Sequence, residues 1–346
     1  MKTIDLRSDT VTLPTQAMRK AIYHAELGDD VFGEDPTTNR LEKMAAERMG
    51  KEAAIMVASG TMGNLVCVLT HCSRGEEAIL GDQSHTFVYE AGGMSAVGGI
   101  HPHTVTNQPD GTIRLEDIEA AIRGSNVHFP RSRLICLENT HNRCNGSALP
   151  PQYMESVAKL AGERGLHVHL DGARIFNAAV ALGIDVKELT RHADSLSFCL
   201  SKGLSSPVGS VICGTSQFIT EARRNRKVLG GGMRQSGIIA AAGIEALEHM
   251  VDRLAEDHEN ARRLAEGIAR IPGLSLDLKK IQTNIVYFDM ADKQFDAGTL
   301  VKQLAGRAVK VLQVGPGRLR AVTHYGISAD DIDLTLAAIS EAMAEP

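Results

Sequence analysis

The chain has 346 residues, more than a single hydrophobic core normally accommodates, so two domains are expected. A formal net charge of -5 and an aromatic content of 4% argue against a nucleic-acid platform. No apolar run approaches the roughly 20 residues of a membrane span, and MKTIDLRSDTVT has no signal-peptide core, so no membrane partner and a cytoplasmic location are expected.

From residue 51 to 214 short apolar runs alternate with helical patterns. AAIMVAS (53–59) predicts a strand with a helix starting at Thr61, and EAILGD (77–82) and RLICLEN (133–139) predict two more strands. A helix over YMESVAKLAGERG (153–165) precedes strands at LHVHLDG (166–172) and SLSFCLSK (195–202). These strands are nearly continuous in Val, Ile, Leu and Ala, the pattern of a parallel sheet with helices on both faces. The fold class is therefore α/β. Residues 236–270 predict one long helix or two in succession, stopped by IPG (271–273). TNIVYFDM (283–290), a helix near Leu300, VKVLQV (309–314), GRLRAVTH (317–324) and a helix from Ala329 then predict a small α+β unit. The division expected is a large domain over 1–245, including the N-terminal arm, and a small C-terminal domain over 246–346.

Ligands of such sheets gather beyond the carboxyl ends of the strands. There the chain carries SGTMGN (59–64), SHTF (84–87), ENTHN (138–142), DGAR (171–174) and SKG (201–203). Ser59, Gly60 and Thr61 open a helix, where free N–H groups and hydroxyls suit a phosphate. Asp171 ends a strand and needs a facing cation, either Arg174 or a bound ring nitrogen. Lys202 ends another, and partial desolvation would free its amine to attack a carbonyl. Together these meet the three needs of pyridoxal 5'-phosphate: a phosphate anchor, a protonated ring nitrogen and an aldehyde held as an imine. The six cysteines form no CxxC pair and are expected to be reduced thiols, although Cys144 in a polar loop near His141 leaves a metal or catalytic thiol open. His167 and His169, spaced HxH on one strand, leave a metal-dependent hydrolase as an alternative without a third ligand, and no metal is expected.

In that order, IDLRSDTVT, GDDVFGEDPTTNRLE, SGTMGN, ENTHN, HLDGARIFNA, CLSKGLSSPVGS and GGGMRQSGIIAAAGIEAL resemble low-specificity L-threonine aldolases, pyridoxal-phosphate enzymes of fold type I. RAVTH (320–324) extends the likeness into the small domain. The resemblance implies Lys202 as the Schiff-base lysine, Asp171 on the pyridine nitrogen, Ser59, Gly60 and Thr61 on the phosphate, and His85 stacked on the ring. It also implies Ser8, Arg174 and Arg320 on the substrate carboxylate, with Arg174 and Lys227 serving the cofactor as well. Lys227 and Arg234 fall where the family places basic residues that a neighbouring subunit can contribute. His128 is similar to a second family histidine near the substrate hydroxyl, so His85, His128 or an ordered water is the base.

The implied reaction is cleavage of L-threonine, L-allo-threonine and other β-hydroxy-α-amino acids to glycine and an aldehyde such as acetaldehyde, in threonine catabolism and glycine biosynthesis. The implied assembly is a homotetramer, a dimer of dimers with active sites at the subunit interface. A β-eliminating lyase, a transaminase or a racemase would share the cofactor and the carboxylate clamp. Two segments depart from the family pattern: RCNGSALPP after ENTHN, and VGPGRL before RAVTH. Both bear on substrate range and on stereochemistry at the β-carbon.

Overall fold

The computed structural model describes residues 2–291 and 296–344. In chain order the first strands are β1 (Ile4–Asp5), β2 (Ala53–Val57), β3 (Glu77–Gly81), β4 (His101–Val105), β5 (Ser132–Glu138), β6 (His167–Asp171), β7 (Ser195–Cys199) and β8 (Ser210–Gly214). All but β1 form one sheet in the order β2-β8-β7-β6-β5-β3-β4. Pairing is parallel from β7 to β4, whereas β8 runs antiparallel to both of its neighbours. The reason lies in the connection. A parallel crossover needs a dozen or more residues, and only residues 200–209, the loop that carries Lys202, separate β7 from β8.

Side chains alternate across this sheet into separate cores. Met56, Ile79, Ile135, Val168, Leu196 and Phe198 join the main core with helices Pro36–Met49, Pro151–Arg164 and Gly237–His249. On the opposite face Ile55, Val57 and Ile212 pack with helices Gly60–His71 and Ser216–Val228. Each such Leu, Ile or Phe contributes about 1.5–3 kcal/mol on burial. Burial on both faces is what makes the strands read as unbroken apolar runs.

The 236–270 pattern resolves into two helices, Gly237–His249 and Leu254–Ile268. The second leads into a smaller body containing β9 (Leu274–Ser275), β10 (Ile285–Met290), β11 (Val309–Lys310), β12 (Leu312–Gly315) and β13 (Arg318–Val322). Its antiparallel sheet, β12-β13-β10-β9, packs with Leu254–Ile268 and Ala329–Ala344 around a second core of Ala261, Leu264, Val286, Phe288, Leu319, Ile332 and Ile339. The N-terminal arm, expected with the large domain, begins here instead: β1 pairs in parallel with β11, and Ile4 and Leu6 lie in the second core. The arm then crosses to the large sheet, where Thr12 Oγ1 donates to the carbonyl of Lys202 at 3.0 Å. Both bodies thus converge on the loop after β7. Among the described residues no helix is long and apolar enough to cross a membrane.

Candidate active site

The carboxyl ends of β2, β3, β5, β6 and β7 bring the motif residues together. Ser59 caps helix Gly60–His71 in extended conformation, its Oγ accepting from Met62 N–H. The first bond of that helix runs from Gly63 N–H to Ser59 O, so the N–H groups of Gly60 and Thr61 precede the ladder and are free for an anion. A Cβ at position 60 would come within 2.8 Å of Cys199 Sγ, so only glycine closes this turn against β7. Ser210 Oγ, buried and without a hydrogen-bond partner among the described residues, lies 3.8 Å from the same point. A polar cradle beside a helix start fits a phosphate.

Asp171, the last residue of β6, is buried, and its carboxylate is held by two neutral donors. Asn64 Nδ2 donates to Oδ2 at 2.8 Å and Ala173 N–H to Oδ1 at 3.0 Å. Arg174, the alternative partner read from sequence, turns away and is clasped by Asp9 through bonds of 2.6 and 2.7 Å. Asp171 thus makes no ion pair among the described residues although it is buried, which fits a cationic ring nitrogen.

Asn64 is the hub of this floor. Its Oδ1 accepts from Ser197 Oγ at 2.6 Å and pairs with His169 Nε2 at 3.2 Å, which turns its amide N–H groups toward the carboxylates of Asp171 and Glu90. Burial lowers the His169 pKa to about 4, so the ring stays neutral. Glu90 Oε1 also bonds His85 Nδ1 at 2.8 Å, leaving Nε2 of that half-buried ring for the cleft. Burial disfavours the charged form of His85, yet the Glu90 bond, with Asp171 and Glu138 nearby, raises its pKa above the ordinary 6.5. Burial pushes Glu90 up as well. Glu138 Oε2 accepts from His85 N–H at 2.7 Å and Oε1 from Asn142 N–H at 2.8 Å, tying the turns after β3 and β5 together.

The opposite wall comes from the small body and the arm. Arg320 on β13 donates to Asn142 Oδ1 and to the carbonyl of Arg7, both at 3.1 Å. Ser8 lies beside it on the arm, its Oγ accepting from Thr10 Oγ1 at 2.9 Å. Asp9 is fully buried; desolvation opposes its charge, but Arg174 and then Lys202 hold its pKa well below the carboxylate range. Asn284 of the small body completes the Asp9 shell at 3.3 Å. Ser8, His85, Arg174, Lys202 and Arg320 all line one cleft.

The beta-eliminating lyase family model matches residues 5–291. Low-specificity L-threonine aldolase 1 of Arabidopsis thaliana is 48% identical over 347 residues, covering 99% of this chain and 97% of the relative. The low specificity L-threonine aldolase of Escherichia coli K12 is 45% identical over 329 residues, 95% of this chain and 96% of the relative. The chain belongs to the low-specificity L-threonine aldolase family. Among solved structures, the Leishmania major threonine aldolase aligns with a TM-score of 0.85 over 99% of this chain and 100% of its own; at 18% identity this likeness is one of fold.

Three residues carried over from the family pattern do not reach the cleft within one chain of this family member. His128 sits on the exposed loop before β5, its N–H bonded to Asn126 Oδ1. Lys227 is exposed near the end of helix Ser216–Val228, and Arg234 is exposed and paired with Asp29 at 3.0 Å. Within the run RRNRK it is Arg226 that turns inward, to Asp30 and to the carbonyl of Met56. Asp9, Asn64, Glu90 and Glu138 are site residues that motif reading did not single out. Their signal is faint in sequence, because acids and amides on turns are common and only the fold aims them at one point. Cys144 is buried, and burial pushes its thiol up to about 12, which rules out a ready thiolate. His169 is occupied by Ser195 and Asn64, whereas His167 lies half-exposed 3.7 Å from Asp194, so the HxH pair forms no metal site.

Proposed function

We propose that this chain cleaves L-threonine and L-allo-threonine, and other β-hydroxy-α-amino acids, to glycine and an aldehyde, which is acetaldehyde for both threonines. As a family member it is a carbon–carbon lyase that depends on pyridoxal phosphate. Ser59, Gly60 and Thr61 would hold the phosphate, Asp171 the ring nitrogen, His85 the ring face and Lys202 the aldehyde carbon. The cofactor, when bound, supplies the electron sink for the pair left on Cα when the Cα–Cβ bond breaks.

The chain's own residues do the rest. Arg320, with Ser8 and Arg174, grips the substrate carboxylate, and that grip fixes which bond at Cα stands ready to break. Asp171 would keep a proton on the ring nitrogen by offering a buried carboxylate to it. His85 Nε2, opposite the Glu90-bonded Nδ1, would take the β-hydroxyl proton. His128, Lys227 and Arg234 are exposed on a single chain, which supports an assembly in which a second copy completes each site. We infer a homotetramer, a dimer of dimers, acting in the cytoplasm in threonine breakdown and glycine formation.

The observation that carries this reading is the buried Asp171 carboxylate, held by Asn64 and Ala173 N–H with no ion pair among the described residues, while Lys202, His85 and Arg320 line one cleft. The test is an absorbance scan of the purified protein, followed by acetaldehyde assays with L-threonine and L-allo-threonine. Visible cofactor absorbance with acetaldehyde release supports the reading; pyruvate, ammonia or a keto acid in its place overturns it. Light scattering on the eluting protein checks the tetramer.

A further inference from the structure

The cleft before Lys202, about 340 Å³ in volume, is lined by five cationic side chains, Arg143, Arg174, Arg318, Arg320 and Lys202, and by no carboxylate among the described residues. Three of the five have work in the reaction proposed above. Lys202 takes the cofactor aldehyde, and Arg320 grips the substrate carboxylate together with Arg174, which Asp9 clasps. Arg143 and Arg318 remain, and a small apolar β-substituent such as the methyl of threonine gives them nothing to bind.

These two arginines fall in the two segments expected from the sequence to depart from the family pattern. Arg143 lies in RCNGSALPP and Arg318 in VGPGRL. The segments meet in space, where Arg318 Nη2 donates to Asn145 Oδ1 at 3.2 Å, and Tyr287 Oη donates to the carbonyl of Asn142, the residue before Arg143, at 2.9 Å. Each guanidinium rests on a tyrosine of the cleft. Arg318 lies 4.8 Å from the Tyr287 ring centre; Arg143 lies 5.9 Å from that of Tyr89 and donates to its hydroxyl at 3.3 Å. Stacking orients the planar fork in advance, so less freedom is lost when an anion binds. Neither charge is firmly neutralised. Arg143 has no acid within ion-pair distance among the described residues, and the nearest acid to Arg318 is Asp289, half-exposed and 3.7 Å away.

We propose that Arg143 and Arg318 form a second anion subsite at the far wall of the cleft, so that the chain cleaves β-hydroxy-α-amino acids whose β-substituent carries a carboxylate. This deepens the aldolase reading and rests on it. For 3-hydroxyaspartate the step balances without any further reactant. The Cα–Cβ bond breaks and its electron pair stays on Cα, which takes up a proton; the β-hydroxyl loses its proton and becomes the carbonyl. The products are glycine and glyoxylate.

The test compares kcat/KM for L-threonine, L-3-hydroxyaspartate and L-3-hydroxyglutamate, both β-epimers of each, in the cofactor-loaded wild type, R143Q, R318Q and the double variant. The wild type is expected to cleave at least one dicarboxylate as efficiently as threonine. The double variant is expected to lose about tenfold or more on that dicarboxylate and less than about threefold on threonine, because a bond to a charged group is at stake for one substrate only. Added salt should narrow the dicarboxylate advantage and leave threonine unaffected. R143Q, on an exposed turn, keeps the test free of folding effects. Dicarboxylates left intact while threonine is cleaved, or equal losses on every substrate, overturn the subsite. Failure on threonine as well would instead overturn the aldolase reading beneath it.

Discussion

The floor and the rim of the cleft are built on opposite principles. On the floor, Asp171, Asn64, Glu90, His85 and Glu138 are joined by hydrogen bonds of 2.7 to 2.8 Å, and all but His85 are buried. On the rim, Arg143 and Arg318 reach into the opening with tyrosine faces and amides for company and little counter-charge. A satisfied buried network is stiff and costly to alter. A solvated guanidinium can be exchanged at little cost to the fold. The floor therefore suits chemistry common to every substrate, and the rim suits the choice among substrates.

Substitutions can break that division or sharpen it. The largest effect is expected for Lys202→Ala, which should abolish both visible cofactor absorbance and aldehyde release for every substrate; retained turnover would detach the lysine from the chemistry. Asp171→Asn should follow, with turnover lowered about 10²–10³-fold, since a preorganised charge facing a developing one is lost; equal turnover would mean that the buried carboxylate only supports the floor. Arg320→Ala should raise KM for threonine roughly 10- to 100-fold while cofactor absorbance stays, as a charged hydrogen-bond partner of the substrate is removed. Unchanged substrate dependence would move the carboxylate grip elsewhere.

Glu90→Gln should have the smallest effect on rate and the clearest signature in pH. His85 acts as base only when neutral, so activity rises with pH through its pKa, which Glu90 helps to hold above 6.5. Removing the Glu90 charge lowers that pKa and moves the acidic limb of the kcat profile to lower pH. A limb that stays in place would remove His85 from the proton transfer.

The large sheet was legible because its strands are buried on both faces, so β2, β3, β5, β6 and β7 stand out as apolar runs with functional residues at their carboxyl ends. β4 was not, because HPHTV sits at the sheet edge, half-exposed, where polar residues and a proline are tolerated. The positions of Ser59 to Thr61, Asp171 and Lys202 at the ends of β2, β6 and β7 were readable because each follows directly on an apolar run. Asp9 was hidden for the opposite reason: its partner Arg174 is 165 residues away, and neither residue announces the pair. Asn64 and Glu90 were equally silent, since a helical asparagine and a loop glutamate acquire a role only when the fold closes them over Asp171. His128, Lys227 and Arg234 lie exposed and outside the lining of the cleft, because a position in a motif does not by itself fix which way a loop or helix turns its side chain.

The central claim is that one lysine, at the end of β7, tethers the cofactor above Asp171. Borohydride reduction of the cofactor-loaded protein, followed by peptide mapping, tests it most directly. The expected result is a single pyridoxyl label on Lys202; a label on any other lysine, or none at all, would contradict the account.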